Sequence, residues 1–387
     1  MRKIIFVFIF ILSLGFSDGI VETNSFYSES LDQTRNFTIY LPEEYYNSDD
    51  DYPVVYFLHG FGGNNNTYNA MHSSLNSMMG AEIIDMIVVS ADGSTDIYDG
   101  SFYTNSILNG DYEDYIAFDL VDYIDETYRT LATNNYRAVS GHSMGGYGAF
   151  RLAMNHSNIF SSFAAHSGPI HLESLNNPFL INMVLIEAIF NGGQISPNNG
   201  TTSMMLFGLS SAFSPNLDNP PWYVDLPINN DGDVDWDVFE QWQVHDPYLL
   251  VENNVETLRN QNIYFDCGGN DELQLHSHGV DMNDKLNELE ISHQWVSYSG
   301  THSSEIYDRL DVSYIFHSNH FESQEEYLLG DVNLDEVLNI LDVVQVVNFI
   351  LDIAEPNDLQ LQLADMNQDL ALNVQDIILL INIILAV

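Results

Sequence analysis

The stretch Tyr136-Arg137-Ala138-Val139-Ser140-Gly141-His142-Ser143-Met144-Gly145-Gly146-Tyr147-Gly148-Ala149-Phe150-Arg151-Leu152-Ala153-Met154 reads as a short β-type run, a G-x-S-x-G box and a helix rich in small residues. In that setting the box marks a serine held on a sharp strand-to-helix turn. Such a turn strains the serine backbone, and flanking residues without a Cβ let strand and helix come close. The hydroxyl of Ser143 would stand clear of the sheet, and the first N–H groups of the helix would point at any oxyanion developing beside it. A plain serine turn is the alternative for the box alone; the strand before it and the helix after it weigh against that.

Outward from the box the pattern repeats. Arg35 to Leu41 alternates as a half-buried strand, and Pro53 to Leu58 is a continuous apolar run suited to a strand covered on both faces. Met86 to Ser90 gives a third strand, leading to a polar loop with Asp92 and Gly93. Asp111 to Tyr128 carries Ile116, Leu120, Tyr123, Ile124 and Tyr128 on one helical face. Further strands are expected over Ile159 to Ser167, Asn262 to Cys267 and Gln294 to Tyr298, with a helix from Gly279 to Leu289. Strands alternating with helices imply an α/β fold built on a mainly parallel sheet.

The loop His59-Gly60-Phe61-Gly62-Gly63 follows one of these strands and is a natural second source of oxyanion N–H groups, that of Phe61 joining that of Met144. His59 is read as holding the loop rather than as catalytic, and Ser167, before Gly168-Pro169, as a turn. Residues from about 170 to 260 break the rhythm and are expected to form a cap over the carboxyl ends of the strands. Its aromatics Phe207, Phe213, Trp222 and Tyr223 either stack on a sugar or aryl group or pack the cap. Asn230 to Asp235 looks like a calcium-loop fragment but has Trp242 where the last acidic ligand belongs, so an acidic turn is expected.

Order along the chain then matters. A serine, an acid after a later strand and a histidine after the next strand is the sequence expected of an α/β-hydrolase, and Asp271 and His302 fall there. A serine hydroxyl is a poor nucleophile at neutral pH, so His302 would take its proton and return it to the leaving group. Asp271 would fix the imidazole tautomer and stabilise the imidazolium. Each oxyanion donor lost typically costs about 3 kcal/mol of barrier. Asp266 and Glu272 are rival acids; His276, His278 and His293 compete as base. No cofactor is needed for this chemistry.

The chain has 387 residues, 45% of them hydrophobic and 12% aromatic, which is globular composition with room for two domains. Nine Lys plus Arg stand against 56 Asp plus Glu, a formal net charge of -47 that excludes nucleic acid as a natural partner. Arg2 and Lys3, then the apolar run from Ile4 to Leu14 and Gly15-Phe16-Ser17, form a signal peptide over residues 1–17, too short to span a bilayer, so a secreted or cell-surface protein is expected. Cys267 is the single cysteine, excluding an internal disulfide, and is read as a buried inert thiol.

The tail is a second unit, residues 323–387 after a hydrolase domain at 18–322. It holds two copies of one pattern. Asp331, Asn333, Asp335, Asn339 and Asp342 stand at loop positions 1, 3, 5, 9 and 12, with Val337 giving a backbone carbonyl at position 7. Asp365, Asn367, Asp369, Ala371, Asn373 and Asp376 repeat the set, and apolar helices follow at Val343 to Leu351 and Ile377 to Leu385. Oxygen donors at this spacing are those of an EF-hand-like loop, so two structural Ca2+ sites are expected. The usual glycine at position 6 is Glu336 in one copy and Leu370 in the other. A left-handed residue with a side chain costs on the order of 1 to 2 kcal/mol, which would weaken the affinity.

Arg35 to Pro42, Tyr52 to Gly63, Asn105-Ser106 with Tyr112-Glu113-Asp114, Gly141 to Leu152, and Trp242 to Leu250 with His245-Asp246-Pro247 together resemble the secreted esterase family of esterase D, S-formylglutathione hydrolase and feruloyl esterases. The resemblance implies a serine carboxylesterase with Ser143, Asp271 and His302 on the family's triad positions, acting on carbohydrate or aryl esters of acetyl or feruloyl type. Mycolyltransferases share this fold, so acyl transfer to another alcohol stays open, as does a non-catalytic binding or assembly module. The tail resembles a type I dockerin, which implies a cohesin-type partner through residues 330–387.

Overall fold

The computed structural model describes residues 19–324, 328–335, 337–351, 353–367 and 371–386. The expected signal peptide and the loop residues Glu336, Asp369 and Leu370 lie outside the described residues. The chain divides into two compact units, Met1–Glu322 and Ser323–Val387.

In the first unit the strands are β1 (Ile20–Ser28), β2 (Gln33–Leu41), β3 (Val54–Leu58), β4 (Ile87–Ala91), the short ribbon β5 (Asn105–Ser106) and β6 (Gly110–Asp111), then β7 (Arg137–His142), β8 (Ser162–His166), β9 (Asn262–Gly268) and β10 (Gln294–Tyr298). Eight of them form one sheet in the order β1-β2-β4-β3-β7-β8-β9-β10. β2 runs antiparallel to both neighbours, and every other pair in the sheet is parallel. This is the α/β-hydrolase arrangement expected from the alternation of strands and helices. All five residues of β3 and of β4 are buried, as strands with helices on both faces must be.

The pleat sorts β3 cleanly. Val55 and Phe57 face one layer with Leu75 of the helix Met71–Met78 and with Leu310 and Tyr314 of the helix Ile306–Glu322. Tyr56 and Leu58 face the other layer, which includes Phe150 of the elbow helix Met144–Asn155 and Ile116, Leu120 and Ile124. The expected single helix over Asp111 to Tyr128 is α-helical at Tyr112–Asp114, π-helical at Tyr115–Leu120 and α-helical again at Val121–Thr127.

The segment expected as a cap contains the helices Pro178–Phe190, Thr201–Phe213 and Trp236–Gln243. It has a small core of its own, including Val184, Ala188, Phe207 and Ile228. Phe207 is buried there, Phe213 is buried in the main core, Trp222 packs on Phe207, and Tyr223 is exposed, so three of these four aromatics serve packing. Asn229 closes the acidic turn by accepting from the Asp231 and Asp233 N–H groups, and Asp235 caps the next helix.

The second unit has helices Ile340–Ile350, Asp358–Ala364 and Val374–Ala386 around Val332, Val346, Met366 and Leu380. The two long helices begin at Ile340 and Val374, earlier than expected from apolar residues alone. Asn339 forms a capping box with Asp342, and Asn373 accepts from the Gln375 N–H while Asp376 accepts from the Asn373 N–H. The short middle helix was not foreseen.

Candidate active site

β7 ends at the box, and Ser143 takes φ 57° and ψ -115°, a left-handed conformation strained for a residue with a side chain. The glycines explain why the turn closes. A Cβ on Gly141 would sit 2.2 Å from the Gly145 carbonyl oxygen, and one on Gly145 would sit 2.0 Å from that of Leu58. Only at this approach does the elbow helix start directly beneath the Ser143 hydroxyl.

The loop after β10 brings His302 to it. The Ser143 Oγ–H donates to His302 Nε2 at 2.9 Å, and His302 Nδ1–H donates to Asp271 Oδ2 at 2.8 Å. Asp271 follows β9, its side chain is fully buried, and its second oxygen accepts the Leu273 N–H at 2.8 Å. Burial alone would push the Asp271 carboxyl up, but the hydrogen bond and charge of His302 outweigh it and hold the pKa below the ordinary value. The rivals go elsewhere. Asp266 pairs with His166 and Arg309, and Glu272 accepts the His302 N–H at 3.0 Å. His276 meets Ser297, His293 meets Asn283, and His278 Nδ1 accepts the His171 N–H.

Three contacts were missed from sequence. His142, the variable residue of the box, donates from Nε2 to the His302 carbonyl at 2.9 Å and accepts from the Tyr68 hydroxyl at 2.7 Å. Burial keeps it neutral, with its pKa lowered to about 3. Tyr68 and His142 thus brace the loop that presents His302. Cys267 is buried as expected, yet its S–H lies 3.3 Å from Asp271 Oδ2 as a donor, so the thiol is part of the carboxylate's surroundings. Burial pushes the thiol pKa far up, which keeps it a donor. The spacing of a thiol four residues before the acid on a strand end was the available signal.

The glycine loop lies against the serine: a Cβ on Gly60 would stand 3.3 Å from the Ser143 Cβ. His59 holds this loop, donating from Nδ1 to the Gly60 carbonyl at 2.7 Å and accepting the Gly93 N–H at 2.9 Å. The N–H groups of Phe61 and Met144 have no hydrogen-bond partner among the described residues, and both residues line the same cavity as Ser143. Ser167 is buried at the end of β8 with φ 48°.

In the tail, the donors named from sequence are oxygens throughout. Asp342 is fully buried, accepting from the Val332 and Asn333 N–H groups with one oxygen and from the Asn339 N–H with the other. Asp335 donates its N–H to Asp331 Oδ1 at 3.1 Å, which draws the loop in. Asp376 repeats the arrangement toward Asn367 and Asn373. Among the described residues no three His, Cys, Asp or Glu side chains converge as a metal cluster. An all-oxygen set of this kind fits a hard cation such as calcium. The left-handed backbone in the described part of the first loop falls on Leu334, at φ 59°.

Similarity to known proteins follows the same two units. An esterase of Mycobacterium tuberculosis is 28% identical over 181 residues, which is 42% of this chain and 38% of that protein. An endo-1,4-beta-xylanase/feruloyl esterase of Xylanibacter ruminicola is 26% identical over 178 residues, 43% of this chain and 24% of that protein. The chain therefore spans well under half the length of these curated relatives. A solved ferulic acid esterase superposes with a TM-score of 0.56 at 20% identity, covering 79% of this chain and 100% of that one, which establishes the shared fold. Residues 329–385 match the Dockerin type I domain. Residues 28–317 match the family described as "Putative esterase", and the chain belongs to that family.

Proposed function

We propose that the chain is a secreted serine carboxylesterase, with Ser143 as nucleophile, His302 as general base and acid, and Asp271 as the residue that orients it. The observation that carries this reading is the unbroken hydrogen-bonded line Ser143, His302, Asp271 at 2.9 and 2.8 Å, at the elbow of an esterase-family fold. Ser143 Oγ attacks the ester carbonyl carbon while its proton passes to His302 Nε2. The oxygen that gains charge is placed to accept from the Phe61 and Met144 N–H groups. Collapse of the tetrahedral intermediate expels the alcohol, which takes the proton back from His302 and leaves an acyl-serine. Water then repeats the attack through His302 and releases the acid. Carbohydrate-linked or aryl esters are the substrate class, a reading supported by the xylanase/feruloyl esterase relative.

Residues 18–322 are assigned to the esterase and 323–387 to a calcium-binding dockerin. Asp331, Asn333, Asp335, the Val337 carbonyl, Asn339 and Asp342 would hold one ion, and Asp365, Asn367, Asp369, the Ala371 carbonyl, Asn373 and Asp376 a second; bound calcium would fix the loops from which the helices start. A cohesin-type module is the partner proposed for residues 330–387, on the strength of the domain match. Among the described residues no helix is long and apolar enough to cross a membrane.

The experiment is hydrolysis of p-nitrophenyl acetate by wild type and Ser143→Ala. Turnover should fall at least about a thousandfold in the variant. Unchanged turnover would remove Ser143 from the reaction, and a fluorophosphonate probe that fails to label Ser143 in the folded protein would favour a binding module.

A further inference from the structure

Resting on the esterase reading, we infer that the acyl group this enzyme accepts is an unbranched aliphatic chain, housed in an apolar chamber of the cap that adjoins the Ser143 cavity. Of the residues lining the cavity at Ser143, the serine is the only one with a polar side chain. A second cavity lies within the cap and is lined by apolar side chains except Asn176 and Thr202. The two cavities share Leu175, Leu180, Met205 and Leu209 as walls. They adjoin across these four side chains, and a chain leaving the acyl carbonyl would reach the second cavity by moving them.

The chemistry of the walls decides the ligand. The phenolic hydroxyl of a hydroxycinnamoyl group, or the hydroxyls of a sugar, would enter the Ser143 cavity with no side-chain donor or acceptor besides the nucleophile, and each group left unpaired is costly to bury. A methylene chain loses nothing there and gains about 0.8 kcal/mol for each CH2 buried. The cap aromatics do not contradict this, because Phe207, Phe213, Trp222 and Tyr223 line neither cavity. A polar alcohol can still lie on the open side of the serine, so a fatty-acyl ester of a polar alcohol satisfies both sides of the site.

Val184 sits on the cap helix Pro178–Phe190, is 4% exposed, and lines the inner chamber without lining the Ser143 cavity. Val184→Phe should therefore fill the far end of the chamber. The test measures kcat/KM for p-nitrophenyl acetate, butanoate, hexanoate and octanoate, and for methyl hexanoate against methyl ferulate. Wild type should rise two- to fourfold per added methylene up to hexanoate, prefer methyl hexanoate over methyl ferulate at least tenfold, and lose at least fivefold of its hexanoate-to-acetate ratio in Val184→Phe. A flat or falling series, a preference for methyl ferulate, or an unchanged ratio in a folded Val184→Phe would overturn the inference while leaving the esterase reading intact. Turnover that survives Ser143→Ala would instead sink the esterase reading. Calorimetric binding of methyl hexanoate and methyl ferulate to Ser143→Ala reads the chamber without turnover, and equal affinity for the two would overturn the inference on its own.

Discussion

At Asp271 three donors meet one buried carboxylate: His302 Nδ1–H, the Leu273 N–H and the Cys267 thiol. That arrangement favours the ionised form even though burial opposes it, and an ionised Asp271 fixes His302 with its proton on Nδ1 and its lone pair toward Ser143. An asparagine there keeps the shape but can present an amide N–H to Nδ1, which selects the wrong tautomer. Asp271→Asn should lower kcat by about 10³ to 10⁴ with KM nearly unchanged. A drop of less than tenfold in steady-state kinetics would mean that another acid serves His302. Ser143, Asp271 and His302 could be put forward from their order, because each is the first chemically suitable residue after a strand, but rival acids and histidines stood beside them. The Tyr68 to His142 brace could not, since Tyr68 is 74 residues away in sequence and meets the box only through the fold.

The elbow helix is also held from the side by Glu113, which lies in the short helical turn Tyr112–Asp114. Its carboxylate accepts from Arg151 at 2.8 Å and from Asn155 at 2.7 Å, and meets His156 at 3.1 Å. Burial pushes Glu113 up, but His156, Arg151 and Asn155 outweigh it and bring the pKa down to about 2. A carboxyl whose folded pKa is depressed stabilises the fold above its unfolded pKa of 4.5 and loses that contribution as pH falls through about 2. The shift corresponds to a contribution on the order of 3 kcal/mol at pH 7. Denaturant unfolding should therefore find Glu113→Gln less stable by a few kcal/mol at neutral pH, with the gap closing as pH approaches 2; a gap independent of pH would assign the loss to packing.

Elements differ in how plainly the sequence wrote them. β3 was read nearly with the bounds it has, because an uninterrupted apolar run has few other uses, and β10 was read with its own, Gln294–Tyr298, although Gln294 and Ser297 break its apolar run. β1 went unread: Ile20–Ser28 is an edge strand with most positions half-buried or exposed, so its alternation is faint among Glu22, Thr23, Asn24 and Ser25. The tail helices were placed late because apolar periodicity marks the buried face and not the capping asparagine that starts the helix.

For the whole molecule, a formal charge of -47 makes every additional acidic group costly unless a cation or backbone donors answer it. The tail concentrates this problem, since Asp331, Asp342, Asp365 and Asp376 are all buried. Calcium would supply the counter-charge. Calorimetric titration of the full chain should show calcium binding that is lost in Asp342→Ala plus Asp376→Ala, and chelator should lower the helical circular dichroism of wild type alone. Identical titrations of the two proteins would refute the loop assignment. The esterase should keep its p-nitrophenyl acetate turnover in the double variant, since neither aspartate lies in the unit that holds Ser143.

By itself the sequence determined the parallel sheet with its helices, the serine at the elbow, the order of serine, acid and base, and the doubled acidic loops. These are local facts, carried by apolar periodicity, glycine spacing and side-chain chemistry within short windows. Tertiary structure alone decided which of several acids meets His302, that Tyr68 and His142 brace its loop, that Cys267 touches the acid, and that Phe207, Phe213, Trp222 and Tyr223 stay out of the Ser143 cavity while Phe61, Phe102, leucines and methionines line it. Most of those depend on residues far apart in the chain arriving at one point, and only the packed sheet with its cap fixes where that point is.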